Sequence, residues 1–574
     1  MKNRILQSLV IILIAVIGLA GCNGLGKMVK NAGQVTYKVS PNPLELVGDT
    51  ITVSISGKFP PKFFVKKANL VVTPTLSYQG GEKTLKSVTY VGESAVEKGI
   101  KIGFDAGGSF NYTDRIAFMP EMKVAELKLK ATAGLSKAVM DFPMIKIGDG
   151  TMATSLLVKS DEKPLLAKDN FQKSVPVSAT ANVFYLINTS NVRPTEMNSA
   201  EMKGMREFIS GGAKKGYTFK GMNVSAYASP DGELSRNANL AQDRAKSASK
   251  AMHDEFMKLK IKSGTGDDFY KQVTTAEDWD GFKKLMESSK IADKDLILRV
   301  LTMYPDGEVR EREIKNLSKT YLEVADQILP KLRRAVLTLN AEEKSRSDEQ
   351  ILKLSLSNPD SLNVEELLYA STLTNDMNSK LSIFKSAEKQ FPQDWRAINN
   401  SGYLYIMQNK VNDAQMQFEK ANKVSANNAI IQNNLGIVAR WKGNKKEAAG
   451  YYKSAMSAGP EVSYNMGIVN IMDGKYADAL ANFGSMQTFN VALAKVLSGS
   501  PDAALSILDA SNDKDAALSF YLKAIVGART GKADLMINNL KSAINKDGSL
   551  KDKAKLDAEF LKFKDNADFK AIVG

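Results

Sequence analysis

The 574-residue sequence contains one cysteine and one histidine, and this scarcity excludes several kinds of functional site. A lone Cys22 cannot form an intramolecular disulfide or a thiolate metal cluster. His253 lies on a charged segment with no second His or Cys beside it, which excludes the usual zinc sites and a Ser–His nucleophile. We therefore predict no metal, no cofactor and no catalytic residue. An enzyme that works through paired carboxylates remains the alternative.

Long apolar runs are also scarce, and the sequence has one, between Ile5 and Ala20. This run follows Lys2 and Arg4, and it is shorter than the roughly 18 residues expected of a membrane-spanning helix. A basic start, an apolar centre and a small-residue cleavage site together indicate a secretory signal. An uncleaved anchor helix with an incidental cysteine is the alternative interpretation.

The end of the apolar run, Leu19-Ala20-Gly21-Cys22, resembles a bacterial lipoprotein signal. The resemblance implies a signal peptide over residues 1–21, lipidation of Cys22 and a lipidated linker over residues 22–34. No acidic run follows Cys22, whereas the surface-export signal of Bacteroidota uses acidic residues there. We therefore expect a protein anchored in outer-membrane lipid that faces the periplasm.

The sequence lacks a concentrated block of charge, although its formal net charge is +15. Removal of Lys2 and Arg4 with the signal leaves 15 − 2 = +13. A basic exported protein is attracted to anionic headgroups or acidic wall polymers. Because the lysines are dispersed, an ordinary solvated surface is the simpler interpretation, and the export signal argues against nucleic acid as a partner.

Short alternating segments between Gly, Pro and Asn clusters predict an all-β, sandwich-like region over residues 35–172. Two small β modules are the alternative. We expect this region to act as a spacer or a docking surface. The candidate strands are Thr50–Ser56, Ala68–Thr73, Leu85–Val91, Lys101–Phe104, Ala125–Ala131 and Ser155–Val158.

The segment from Val224 to Ala248 combines a strand, a turn and a helix. The strand alternates, and Ser-Pro-Asp-Gly at 229–232 is a strong turn signal. In the following helix, Asn237, Arg244 and Ala248 share one face with Leu240. An arginine in such a position can meet a carboxylate with two parallel hydrogen bonds.

The run from Asn237 to Ala245, with Arg244 near its end, resembles the OmpA-like peptidoglycan-associated domain. The resemblance implies an α+β domain over residues 173–342 that carries a helical insertion. It also implies candidate peptidoglycan-binding residues, which are Ser229, Asp231, Asn237 and Arg244. The family's ligand-binding Asp falls on Ser229 here. We therefore expect weak or absent peptidoglycan binding, with Arg244 serving as an ion-pair partner.

The same resemblance places a first strand at residues 183–187 and a closing strand at residues 332–339. Pro230 restricts the backbone before Asp231. We therefore expect the Asp231 carboxylate to be hindered from turning inward.

A 34-residue period appears after residue 360. It joins Gly402 to Gly436 and Phe418 to Tyr452. The small–small–aromatic–small pattern resembles the tetratricopeptide repeat. The resemblance implies a linker over residues 343–360 and an all-α solenoid over residues 361–574.

We expect about five or six such repeats and a polar-faced cap at Leu556–Phe569. Stacked repeats leave a groove that usually holds a peptide or a helix. We predict a protein partner in the groove and a truncated chain that stays folded without the array. An array that only lengthens the molecule is the alternative.

These features together predict a multidomain, non-enzymatic lipoprotein of the Bacteroidota type. The first hypothesis is a protein–protein scaffold or an accessory subunit of an envelope complex for outer-membrane protein assembly or secretion. A peptidoglycan-binding anchor between outer membrane and cell wall is the second. A wall-active enzyme is the third.

Overall fold

The computed structural model describes residues 24–574, so the predicted signal peptide and Cys22 lie outside the described residues. The chain forms two compact units, one from residues up to 167 together with 393–574, and one from residues 168–392. The first described element is helix α1 (Gly24–Lys30). Throughout residues 24–574, every helix is too short or too polar to cross a lipid bilayer.

The β region of the first unit contains eleven strands that are connected by hydrogen bonds into one sheet. Most neighbours are antiparallel, while β2 with β11 and β6 with β7 are parallel. The order along the sheet is β1-β3-β2-β11-β9-β4-β6-β7, with β8 on β3, β5 on β4 and β10 on β9. The strands are β1 (Thr36–Val39), β2 (Leu44–Val47), β3 (Thr50–Phe59), β4 (Asn69–Tyr78), β5 (Gly81–Thr84), β6 (Val88–Gly92), β7 (Ile100–Ile102), β8 (Gly108–Ala117), β9 (Ala125–Leu135), β10 (Ala138–Asp141) and β11 (Ile145–Met152).

Alternation along the strands places one face of the sheet in a core. Ile51 and Val53 of β3 are fully buried and share a hydrophobic cluster with Leu76 of β4 and Leu127 of β9. Strands from both halves of this single sheet therefore contribute to one hydrophobic cluster, so the sheet curls over a common interior. The alternative interpretation of two small modules was wrong, because β2 and β11 join both halves into one sheet.

The expected strand at Ser155–Val158 does not form. Residues Thr154–Leu157 make a 3-10 turn, and residues 158–172 have no regular secondary structure. The predicted boundary of the β region at residue 172 was therefore too late.

The second unit is built on a four-stranded mixed sheet in the order β12-β15-β13-β14. The long neighbours are antiparallel, and β13 pairs with β14 in parallel. The predicted first strand begins earlier and ends at Phe184, and the predicted closing strand begins at Arg334. The strands are β12 (Ser174–Phe184), β13 (Thr218–Tyr227), β14 (Tyr270–Thr275) and β15 (Arg334–Lys344).

Helices pack on this sheet because their small and apolar side chains contact its buried residues. Val224 and Ala226 of β13 are fully buried against Ala245 and Ala248 of the following helix. The turn predicted before that helix and the helical insertion predicted before β15 are both present. The helices up to β15 are α2 (Pro194–Met197), α3 (Ala200–Lys215), α4 (Leu234–Lys258), α5 (Trp279–Ser288), α6 (Lys294–Met303), α7 (Gly307–Lys315), α8 (Ser318–Gln327) and α9 (Leu329–Leu332).

The predicted linker at residues 343–360 is largely ordered. After β15 ends at Lys344, a capping box between Ser347 and Gln350 starts helix α10 (Asp348–Ser357). Helices α11 (Val364–Ala370) and α12 (Met377–Gln390) complete the second unit. The stretch predicted as a linker therefore contains a helix, because it carries its own helix start signal.

Antiparallel helix pairs follow, as the 34-residue period predicts. In three pairs a glycine of the first helix faces an aromatic ring of the second, and a Cβ at the glycine would press on that ring. This confirms the predicted packing at Gly402, Gly436 and Gly467. The helices are α13 (Trp395–Met407), α14 (Val411–Val424), α15 (Ala429–Trp441), α16 (Lys445–Ala455), α17 (Pro460–Met472), α18 (Tyr476–Phe483), α19 (Phe489–Leu497), α20 (Pro501–Ala510), α21 (Ala517–Thr530) and α22 (Ala533–Lys546), closed by α23 (Leu550–Leu556) and α24 (Ala567–Val573).

Candidate functional site: the groove of the helical repeats

The groove formed by the first helices of the pairs is filled by residues 158–167 of the same chain, which we call the strap. The strap leaves the 3-10 turn at Leu157 and meets α19 first, then α17, α15 and α13. It therefore runs opposite to the order of the repeats. The groove that the sequence predicts for a protein partner is therefore occupied in this structure by a segment of the same chain.

One asparagine on each of α13, α15, α17 and α19 binds the strap backbone through both of its amide atoms. The Asn434 side chain accepts a hydrogen bond from the Leu165 N–H at 2.8 Å and donates one to the Leu165 carbonyl at 2.7 Å. Three further asparagines repeat this pattern at 2.7–3.0 Å. The four pairs are Asn490 with Lys159, Asn465 with Lys163, Asn434 with Leu165 and Asn400 with Ala167.

The register of these contacts requires an extended strap. Lys163, Leu165 and Ala167 are two residues apart, so their backbone groups point to the same side, as in a β-strand. Pro164 falls between two bound positions. Its missing N–H therefore leaves no asparagine without a donor.

A second set of asparagines supports the first set. Asn399 donates to the Leu165 carbonyl at 3.2 Å, and Asn433 donates to the Lys163 carbonyl at 3.0 Å. Each of them also donates to the asparagine that follows it, at 3.1 Å. All of these side chains are buried, and a satisfied buried amide network fixes the positions of its members.

Glu162 is the deepest charged group of the strap. Its side chain is 0% exposed and forms an ion pair with Arg440, whose Nη2 lies 3.0 Å from Oε2. The Trp441 indole N–H donates to the same oxygen at 2.9 Å. Burial raises the pKa of Glu162, while Arg440 and Trp441 oppose that increase. The groove therefore contains a pocket for one carboxylate.

A second carboxylate lies beside the first. Both oxygens of Asp161 lie 2.8 Å from the Tyr464 hydroxyl, and the Asn490 amide donates to Oδ1 at 2.9 Å. Lys163 lies 5.0 Å from the centre of the Tyr464 ring, which is within cation–π range. Burial raises the pKa of Tyr464, so its hydroxyl stays a donor.

Burial of apolar side chains contributes little to the binding of the strap in the groove. Within the strap, Glu162 and Ala167 are buried, while Val158 and Leu165 are half-buried. Leu157, just before the strap, belongs to the core of the array. The strap is therefore held mainly by polar contacts.

The asparagines carry a sequence signal that the repeat pattern alone does not reveal. Each stands two residues before the small residue of its first helix, as in Asn434 before Gly436. The same spacing occurs at Asn400, Asn465 and Asn490. A search for polar residues two positions before the small residue of each first helix finds all four, with Gly402, Gly436, Gly467 and Ala492 as the small residues.

Arg244, a predicted peptidoglycan-binding residue, is 1% exposed in the second unit. Its guanidinium donates to the carbonyls of Thr189 at 3.0 Å, Tyr227 at 2.9 Å and Leu186 at 3.3 Å. Burial lowers its pKa to about 10. The expectation that Arg244 serves as an ion-pair partner was wrong, because its guanidinium donates to three backbone carbonyls.

Ser229, Asp231 and Asn237 surround the turn that precedes α4. Arg333 donates to the Ser229 hydroxyl at 3.2 Å and to the Asp231 carboxylate at 3.1 Å. Asn237 donates to the carbonyls of Ser229 and Gly232 at 3.1 Å each. The Asp231 carboxylate thus does turn inward, contrary to the expectation drawn from Pro230, because Arg333 attracts it.

The helical insertion packs against this turn. Asp231 and Pro230 line a small cavity together with Trp279 and Tyr321 of the insertion. The predicted site residues therefore lie close together, but their polar groups already form hydrogen bonds within the protein.

Within residues 24–574, no group of three or more His, Cys, Asp or Glu side chains is arranged to hold a metal ion. Cys22, the predicted lipidation site, lies outside the described residues.

No protein-family model matches the chain. No curated protein sequence matches it either. Similar solved structures include YrrB, described as a TPR protein with an unusual peptide-binding site, at 18% identity, covering 35% of this chain and 94% of that one with a TM-score of 0.22. A tetratricopeptide repeat protein from Parabacteroides merdae matches at 13% identity over 36% and 90%, with a TM-score of 0.29. PilW, a type IV pilus biogenesis factor, matches at 14% identity over 40% and 100%, with a TM-score of 0.26.

Proposed function

We propose that this protein is a non-enzymatic scaffold anchored to outer-membrane lipid through Cys22 and facing the periplasm. It joins partner proteins, as an accessory subunit of an envelope complex for outer-membrane protein assembly or secretion. The anchor and the location are supported by the lipoprotein-like sequence that ends at Cys22. The binding role is supported by the groove.

One observation carries the binding role. Four asparagines, on the first helices of four successive pairs, bind both backbone groups of residues in an extended segment. Such an arrangement binds a polypeptide and offers no group that is placed to break a bond in it. A recognition function therefore fits this geometry better than a catalytic one.

The peptidoglycan-binding anchor is the alternative function, and the second unit gives it less support. In the OmpA-like resemblance, Arg244 takes a ligand carboxylate, but here its donors meet three carbonyls. Asp231 is likewise engaged by Arg333. Ligand binding would require these internal contacts to break.

The proposal is tested by expressing the tagged full chain in its own host with a clickable fatty acid, followed by cross-linking and capture from solubilised envelopes. We expect fatty-acid label on the protein, recovery with the outer membrane, and cross-linked envelope proteins. Cys22→Ser is the matched control and should carry no label. Label that persists in Cys22→Ser, or capture that yields no envelope protein, contradicts the proposal.

A further inference from the structure

We propose that the groove is a recognition site for an extended acidic segment of a partner protein, and that the strap occupies it as a built-in competitor. This inference rests on the proposed function, since it names the partner chemistry of the same groove. Three properties of the bound strap support it.

The first property is that four asparagines of the groove bind the strap through its backbone. The asparagines bind N–H and carbonyl groups at strap residues 159, 163, 165 and 167. Every non-proline residue offers both groups. Any extended segment with that spacing can therefore make the same contacts, whatever its sequence at those four positions.

The second property is a requirement for negative charge between those positions. Arg440 is 10% exposed and directs its guanidinium at the Glu162 carboxylate. An arginine so enclosed needs an acceptor, because leaving it unpaired has a large desolvation cost. Tyr464 and Asn490 provide donors for a second carboxylate, that of Asp161. A partner segment should therefore carry adjacent acidic residues in this register.

The third property is that the strap is replaceable. Among its apolar residues only Ala167 is buried, while Leu157 lies in the core next to the strap. Polar contacts exchange readily for contacts with another segment of the same chemistry. A tethered competitor acts at an effective concentration on the order of millimolar, so it lowers the apparent affinity for a partner without abolishing it.

The test measures binding of a fluorescein-labelled peptide with the sequence of residues 157–168 to the chain of residues 24–574. One form is intact, and in the other residues 159–167 are replaced by Gly and Ser at the same length. Fluorescence anisotropy should show saturable binding to the replaced form. Binding to the intact form should be at least about tenfold weaker, because the strap competes.

Charge selectivity is tested with two altered peptides. A peptide carrying Glu162→Lys should bind the replaced form at least about tenfold more weakly, because it places a cation against Arg440. A peptide carrying Ser160→Lys is the matched control. Ser160 is exposed, so the same new residue there should change the affinity little. Arg440→Glu in the replaced form should reverse the preference.

Two results overturn the inference. One is a replaced form with native circular dichroism that binds no peptide, and the other is equal binding of the Glu162→Lys peptide. If the replaced form does not fold, the intact chain carrying Glu162→Lys in its own strap takes its place. That variant should bind the unaltered peptide more tightly than the wild type does. An affinity no higher than that of the wild type would contradict the inference. Peptide binding without captured envelope proteins would remove the proposed function and leave the inference standing.

Discussion

Asparagine suits the strap-binding positions because its side chain matches one peptide unit. Its carbonyl oxygen accepts and its amide donates, so one side chain satisfies both the N–H and the carbonyl of a single strap residue. Asparagine is a poor helix former, and placing it inside a helix has a stability cost. Asn400, Asn434, Asn465 and Asn490 are nonetheless at most 1% exposed within α13, α15, α17 and α19. The recurrence of an unfavourable residue at one offset marks a binding role.

Asn434→Ala should lower the free energy of unfolding by about 1–3 kcal/mol, because the Leu165 N–H loses its acceptor and Asn399 loses a donor. The control is Asn538→Ala, which alters an exposed asparagine on α22 and should change stability by less than about 0.5 kcal/mol. Denaturant unfolding of both variants checks the difference. Equal stability would mean that the strap contact contributes nothing.

The helix pairs depend on a close approach between a glycine and an aromatic ring. Gly436 on α15 faces Tyr452 on α16, and the tyrosine is fully buried. A side chain at position 436 has no space unless the ring moves. The pattern is repeated by Gly402 with Phe418, so one packing rule builds successive pairs.

Gly436→Ala should destabilise the chain by about 1–3 kcal/mol, because overpacking outweighs the better helix propensity of alanine. Gly450→Ala is the matched control on α16, where the new methyl group meets open space. It should stabilise the chain by about 0.5–1 kcal/mol. Thermal unfolding of the two variants should therefore shift in opposite directions, and a shift in the same direction would refute this packing rule.

The sequence predicts the repeats because their packing is local and periodic. Gly436 and Tyr452 lie 16 positions apart, and the same interval recurs in the next repeats. The strap has no such periodicity. Its partners stand far along the chain, as Lys159 and Asn490 do at a separation of 331 residues. The guanidinium of Arg244 donates to backbone carbonyls. Because every residue has such a carbonyl, no pattern of side chains in the sequence could have predicted these acceptors.

At the scale of the whole molecule, the β region and the array belong to one compact unit. Arg529 of α21 forms ion pairs with Glu559 and with Glu45 of β2. Lys445 of α16 lies 2.6 Å from Asp49, just after β2. Removing residues 361–574 would leave the β region without these contacts and the strap without its groove. The loss of these contacts argues against the prediction that the remaining domains stay folded after this truncation.

Hydrogen exchange with mass spectrometry at residue resolution tests whether the groove holds the strap of the same chain. The strap has no regular secondary structure, so an unbound strap exchanges at the rate of a free peptide of the same sequence. We predict that the amides of Lys159, Lys163, Leu165 and Ala167 exchange at least about tenfold more slowly, which corresponds to a local opening free energy above about 1.4 kcal/mol. Exchange of these four amides at the free-peptide rate would contradict this prediction.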